Sequence, residues 1–297
     1  MRQPRWLDAV FLLPGGLILA LLFVLPMIFV VVYSFGTINV LGLPVLGFTT
    51  INYEDVFKPF YAPTLVRTVE YAGLTTIICV VLAYPLAYFA TRFAGGWDKI
   101  IIAAIILTWV VDYLVRIYAW TAILDYNGFV NTFLVDIGVG RQTFIPSTTA
   151  VIAGLVYGYL PLTILPIYAS LGNLDRALID AGKDLYGGPR QTFLHVTLPA
   201  TAAGIVGGAV LTFFPALGDF ATAQFLGGPN QSMIGNLIAQ QFTGQGSIPF
   251  GSALTVVLLV ILFAGVGLIA LLSRQGFRLA AGRVTRDVVR EGMAGSA

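Results

Sequence analysis

The chain has 297 residues, of which 58% are hydrophobic and 10% charged, and a formal net charge of +2. Soluble domains carry about 25% charged residues; with so little polar surface to present to water, lipid is the expected solvent. A net charge this small also excludes the strongly basic surface of a nucleic-acid binder.

The chain opens with Arg2 and Arg5 before an apolar run from Ala9 to Phe35. That run is too long for the core of a signal peptide, and no small-residue cleavage site follows it, so it is read as a retained first helix. A helix needs roughly 20 apolar residues to cross about 30 Å of hydrocarbon. Six segments qualify, near 9–35, 68–91, 100–124, 149–171, 199–222 and 250–273. Inside lipid such continuous runs satisfy their backbone only as helices, and the short alternating segments of barrel strands are missing. The expected fold is therefore all-α and membrane-spanning, with six helices, a short N-terminus (1–8), a basic tail (274–297) and no soluble domain.

Between spans 1 and 2 lies a long loop, about 36–67, containing Asn52-Tyr53-Glu54-Asp55. Span 2 holds Cys79, the single cysteine, which excludes an intramolecular disulfide and a cysteine-built metal site and reads as a packing residue. Span 3 is crowded with Trp109, Asp112, Tyr113, Arg116, Tyr118 and Trp120. Asp112 and Arg116 are four apart, so a continuous helix puts them on one face, where pairing lowers the cost of burying each. After Asn127-Gly128, the spacing of Phe129, Val130, Phe133, Leu134 and Ile137 predicts a short helix lying on the outer membrane surface. Pro161 and Pro166 in span 4 and Pro215 in span 5 are expected to kink their helices. His195 has no second histidine beside it, so a metal role is not expected.

Lysine and arginine set the orientation. With six spans and the N-terminus inside, the cytoplasmic segments hold Arg2, Arg5, Arg92, Lys99, Arg176, Lys183, Arg190, Arg274, Arg278, Arg283, Arg286 and Arg290, twelve of the 16 basic residues. The outer loops hold three, Lys58, Arg67 and Arg141, and Arg116 lies within a span. Adding or removing one helix would destroy this bias, so it supports both the count and cytoplasmic N- and C-termini.

The loop between spans 4 and 5, about 172–198, is the most informative. Residues 174–186 are expected to be helical, with Asn173 or Asp175 as cap. Leu174, Leu178, Ala181 and Leu185 form a narrow apolar stripe, and Asp180, Lys183 and Asp184 fall on other faces. Gly187-Gly188-Pro189 then stops the helix. A short amphipathic helix stopped sharply is a shape that docks into a protein groove.

This loop resembles the EAA loop of ABC-importer permeases. Asp180-Ala181-Gly182 is followed at the family spacing by Val196-Thr197-Leu198-Pro199. Asp180 stands where the family has Glu, and Tyr186 stands at the usual Gly, with Gly187 one residue later. Further stretches are similar to the spermidine/putrescine branch: Arg116-Ile117-Tyr118-Ala119-Trp120 with Asn127-Gly128 following, Leu165-Pro166-Ile167-Tyr168, Phe214-Pro215-Ala216-Leu217-Gly218-Asp219-Phe220, Leu226-Gly227-Gly228-Pro229, Met233-Ile234-Gly235-Asn236 and Pro249-Phe250-Gly251-Ser252-Ala253. The resemblance implies a type I ABC-importer permease fold in the cell inner (plasma) membrane. It implies a cytoplasmic coupling helix built from Asp180, Ala181, Gly182, Lys183, Asp184, Leu185 and Gly187. The implied partners are a second permease subunit in a heterodimer, a dimeric ATP-binding subunit and a periplasmic or lipid-anchored substrate-binding protein.

No Walker A sequence occurs: Gly182-Lys183 lacks the preceding glycine spacing and the following Ser or Thr. The chain is therefore expected to have no catalytic residues and no cofactor or metal of its own, ATP and Mg being used by the partner ATPase. A polyamine substrate would want anions or aromatic faces for its ammonium groups. Asp219 is the leading candidate, since it ends span 5 without a cation four residues away and follows Pro215 and Gly218. Asp112, Glu70, Tyr113 and Trp109 are the others. Each has a plainer reading: an ion pair for Asp112, outer water for Asp219 and Glu70, and interface anchoring for the aromatics. An importer for iron, thiamine or an oxyanion is the alternative within the family. An autonomous secondary transporter would want inverted repeats and broken helices in matched halves, and a membrane enzyme would want a cluster of nucleophile, base and metal ligands.

Overall fold

The computed structural model describes residues 13–40, 42–186, 188–243, 246–268 and 271. The N-terminus 1–8, Gly187 and the tail 274–297 lie outside the described residues. The chain divides into two compact units, one from 1–66 and 233–261, the other from 67–232 and 262–297.

In the first unit, α1 (Leu13–Ser34) is exposed along nearly its whole apolar length, as a helix solvated by lipid should be. It contains a π-helical turn at Ala20–Val24. The wide turn ends just before Leu25-Pro26, where the proline ring cannot supply the next i→i−4 donor. A two-stranded antiparallel hairpin follows, β1 (Thr37–Ile38) with β2 (Pro44–Val45), in the register Thr37↔Val45 and Ile38↔Pro44. The short helix α2 (Ile51–Val56) is tied to the end of α1. Asn52 Nδ2 donates to the carbonyls of Ser34 (3.0 Å) and Gly36 (2.8 Å). The unit's core is Val56, Leu65, Ile234, Phe250, Ala253 and Leu254, supplied by α2, the start of α3 (Ala62–Arg92), α12 (Ile234–Thr243) and α13 (Ile248–Leu268).

The second unit holds the rest of α3, then α4 (Asp98–Val110), α5 (Tyr113–Leu124), α6 (Phe129–Asp136), α7 (Thr148–Gly172), α8 (Arg176–Tyr186), α9 (Pro189–Ala200), α10 (Ala202–Leu217) and α11 (Ala221–Leu226). Its core is Ala83, Tyr84, Ala87, Ala90, Ile102, Ile164, Ile167 and Leu171. α7 and α10 pack closest. A Cβ on Gly204 would lie 2.5 Å from Ser170 Cβ and 2.7 Å from the Pro166 carbonyl, and one on Gly208 2.7 Å from the Thr163 carbonyl. Glycines four apart on one helix face let two backbones approach in this way. Beside them, Thr163 and Thr212 share a buried hydroxyl contact. Pro161 and Pro166 sit within α7 without interrupting it.

Two of the six expected spans are not continuous helices. Leu13–Ser34, Ala62–Arg92, Thr148–Gly172 and Ile248–Leu268 are each long and apolar enough to cross a membrane; the number reaches six if each of two bent pairs is one span. Span 3 (100–124) is bent by 89° between Val110 and Tyr113. The cause is Asp112, whose carboxylate accepts from the N–H groups of Leu114 (2.9 Å) and Val115 (3.3 Å) and so starts a new helix. Span 5 (199–222) begins earlier, with Pro189 at the first position of α9, and bends by 60° at Thr201 between Ala200 and Ala202. A second π turn, Phe193–Thr197, again directly precedes a Leu-Pro pair. Span 5 also ends earlier, at Leu217. Loop 172–198 is accordingly mainly helix.

Candidate functional site

Asp219 lies between α10 and α11 and is buried, at 5% exposure. Its Oδ1 accepts from the Thr222 N–H (2.9 Å) and caps α11. Its Oδ2 accepts from Tyr159 Oη (2.9 Å), from Thr222 Oγ1 (3.0 Å) and from Tyr113 Oη. Tyr113 and Thr222 hydroxyls also meet, at 2.6 Å. A carboxylate accepting four donors is held without a cation, because hydrogen bonds to a charged group are the strong ones. The sequence expectation that Asp219 stands unpaired or reaches outer water is corrected: it has no ionic partner but is fully hydrogen-bonded and enclosed. Each member is placed by its own helix: Tyr113 at the first residue of α5, Tyr159 within α7, Asp219 and Thr222 around the start of α11.

Tyr113 and Tyr159 also wall a cavity of about 410 Å³, together with Trp109, Asp112, Arg116 and Pro215. Four of the five candidate path residues thus meet around one space. Trp109, Asp112 and Tyr113 line it, and Asp219 stands behind the two tyrosines. Glu70, exposed on α3, is not among its walls. The expected Asp112–Arg116 ion pair is absent: Asp112 is committed to capping α5, and Arg116 lies over the Tyr113 ring, 5.6 Å from its centroid. The turn between them is intact, the Arg116 N–H donating to the Asp112 carbonyl (3.1 Å); the pair is lost because the Asp112 carboxylate turns onto the first N–H groups of α5.

Tyr159 and Thr222 were missed by sequence reasoning. A usable signal existed for Tyr159, since a tyrosine deep in an apolar run needs a partner for its hydroxyl. Thr222 carried no comparable signal.

α8 is the second feature. Asp175 Oδ1 accepts from the Ala177 N–H (2.9 Å), as expected of a cap. Gly182 is buried, and a Cβ there would lie 2.8 Å from Val196 Cγ2 and 3.0 Å from Thr192 Cγ2 of α9. One face of α8 is thereby held against α9. Leu178 (48%) and Leu185 (67%) are exposed, as is Ala181, so most of the expected apolar stripe is uncovered. Asp180 and Lys183 pair at 2.8 Å. The Lys183 hydrogen bond and charge hold the Asp180 carboxyl below the usual carboxylate range. Asp184 is exposed.

Long apolar helices, two pairs of them bent, with a cavity walled by aromatic, aliphatic and a few charged side chains, are the architecture of a multi-pass membrane protein. A family model described as binding-protein-dependent transport system inner membrane component matches residues 80–276, and the chain belongs to that family. It is 34% identical over 248 residues to the spermidine/putrescine transport system permease protein PotB of Escherichia coli (strain K12), covering 82% of this chain and 90% of that protein. Against the protein of the same name from Haemophilus influenzae it is 33% identical over 240 residues, covering 80% and 84%. Among solved structures, a bacterial ABC transporter involved in the import of the acidic polysaccharide alginate matches with a TM-score of 0.76 and 19% identity, over 91% of this chain and 96% of that one. The MetNI methionine ABC transporter in an inward-facing conformation matches with a TM-score of 0.51 and 18% identity, over 73% and 94%. The fold is that of a type I ABC-importer permease.

Proposed function

We propose that this permease moves a small cationic solute of the polyamine class, as one of two permease subunits in an ABC importer. The broken pairs α4–α5 and α9–α10 each count as one span, giving six, with both chain ends in the cytoplasm as the distribution of Lys and Arg favours. A separate dimeric ATPase supplies the energy from ATP and Mg, and a substrate-binding protein delivers the solute. Closure of the ATPase pushes α8, and alternating access follows.

The observation that carries this reading is the mounting of α8: one flank held to α9 through Gly182, and the adjoining stripe of Leu178, Ala181 and Leu185 exposed. A helix fixed along one flank, with an exposed apolar stripe beside it, is a shape that a groove can receive. For the solute, the support is the cavity beside Asp219, where Asp112 offers a carboxylate and Trp109, Tyr113 and Tyr159 offer aromatic faces. The named relatives point to the same class of solute.

The test is the double substitution Asp180→Lys with Ala181→Arg in the reconstituted complex. Membrane insertion is expected to persist while ATP hydrolysis no longer drives uptake of labelled putrescine or spermidine. Normal uptake by that variant rejects the coupling role; no uptake of either polyamine by the unmodified complex rejects the substrate.

A further inference from the structure

Arg116 is a buried cation without an anion. It is 9% exposed, and its Nε is enclosed with no hydrogen-bond acceptor. Arginine does not deprotonate in proteins, so the charge cannot be relieved by losing a proton. Neither nearby acid pairs with it: Asp112 Oδ1 accepts from the N–H groups of Leu114 and Val115, and Asp219 from two tyrosines and Thr222. The ion pairs among the described residues are Lys58–Asp55 and Lys183–Asp180, and neither involves Arg116. The guanidinium lies over the Tyr113 ring, and a ring face does not replace an anion for a cation whose Nε is enclosed.

Arg116 also borders a second cavity, of about 380 Å³, walled by Val111, Val115, Ala119, Trp120, Ile123 and Tyr157. Residues 115, 119 and 123 recur every four positions, the row that forms a packing ridge on a helix. Ala119 is small enough for a second backbone to come close, while Val115 is 58% and Ile123 41% exposed. This is an apolar helix-contact face with one unmatched positive charge in it.

We infer that a transmembrane helix of the second permease subunit packs on this face of α5 and places an aspartate or glutamate against Arg116. The inference rests on the two-permease reading above. Two other sources of negative charge fit less well. On the six-span reading α4 enters from the cytoplasmic side; with 13 residues it rises roughly 20 Å, short of the ~30 Å hydrocarbon core, which puts the start of α5 below the outer lipid phosphates. A polyamine substrate is itself a cation and cannot serve.

The experiment uses the full complex, with the photo-reactive residue p-benzoylphenylalanine at Val115 or, separately, at Ala119, and Arg116 intact. Cross-links are expected to the second permease, on a peptide from one of its spans that contains Asp or Glu. Arg116→Gln is expected to lower the second permease retained on purification about tenfold, from stranding the partner's charge. Arg116→Glu combined with Arg at the cross-linked acid is expected to restore it. Should Arg116→Gln fail to fold, the cross-links in the intact background still decide the matter. Cross-links to lipid alone, in a complex that contains a second permease, overturn this inference and leave the importer reading standing. An unmodified complex that purifies with no second permease overturns both.

Discussion

Gly182 sets two effects of known size against each other. Within a helix, Gly→Ala is favourable by about 1 kcal/mol on propensity alone. The added Cβ would, however, lie 2.8 Å from Val196 Cγ2 and 3.0 Å from Thr192 Cγ2, where carbon atoms prefer roughly 3.5–4.0 Å. Both obstructing methyls belong to β-branched side chains, which are stiff at χ1, so relief requires α8 to move off α9. Overpacking of this kind costs about 1–3 kcal/mol. The net expectation for Gly182→Ala is a loss of about 0–2 kcal/mol, the difference of those two ranges. It should appear as a lower thermal midpoint of the purified permease and fewer solute molecules imported per ATP. Gly182→Ala with Val196→Ala removes the closer methyl and should recover both readings beyond what the single variants add up to. A higher midpoint with undiminished coupling in Gly182→Ala would mean that propensity alone acts there and that the two helices are not clamped.

Asp219→Asn keeps an acceptor for the Thr222 N–H and gives the hydroxyls a donor to accept from, so complex assembly should persist while polyamine uptake falls. Asp219→Ala strands three hydroxyls and should cost about 3–5 kcal/mol of stability, read as a large drop in thermal midpoint; equal behaviour of the two variants argues against this cluster. Gly204→Val forces side-chain atoms onto the Pro166 carbonyl and Ser170; separation of α7 and α10 should lower the yield of folded protein in a size-exclusion profile, and an unchanged profile rejects the close packing. The Asp180 carboxyl titrates below its ordinary range because Lys183 stabilises its charged form. Any stability the pair adds is present above the ordinary carboxylate value and is lost as pH falls through the lowered one. Lys183→Met should return Asp180 to the ordinary carboxylate range in a carbon-13 carboxyl titration, and high salt should do so in part.

Apolar length was fully legible in the sequence; helix continuity was not. Hydropathy averages over a window, and the windows across 100–124 and 199–222 stay apolar through both bends. What interrupts α4–α5 is one side chain doing N-cap work, the carboxylate of Asp112, and its position in an apolar run masked the capping signal. The ion pair expected of Asp112 and Arg116 failed through the same capping, which turns the Asp112 carboxylate onto the first N–H groups of α5. The amphipathic helix at 174–186 was readable because stripe, cap and stop are all local. Phe129–Asp136 was readable likewise. Tyr159 and Asp219, 60 residues apart in sequence, meet only because Gly204 and Gly208 let α10 lie against α7. That contact depends on two missing side chains, which hydrophobic periodicity does not register.

The segment from Arg176 to Asp219 links the two features mechanically. α8 rests on α9 at Gly182, Thr192 and Val196. α9 passes into α10 through the bend at Thr201, whose hydroxyl donates to the Thr197 carbonyl (2.9 Å) and meets Tyr84 Oη on α3 (3.0 Å). α10 has 16 residues, a rod of roughly 24 Å, and Asp219 follows its end. Asp219 in turn holds Tyr113 of α5 and Tyr159 of α7, both in the cavity wall. Packed helices move as units rather than deforming continuously. A push on the exposed stripe of α8 would therefore shift α9, turn about the anchored bend and reach the cavity as a displacement of Asp219. The tyrosines would have to follow it or surrender their hydrogen bonds. A carboxylate enclosed behind two tyrosines suits that task better than a bare one in the cavity, since it would join the motion of α10 to the two tyrosines of the wall.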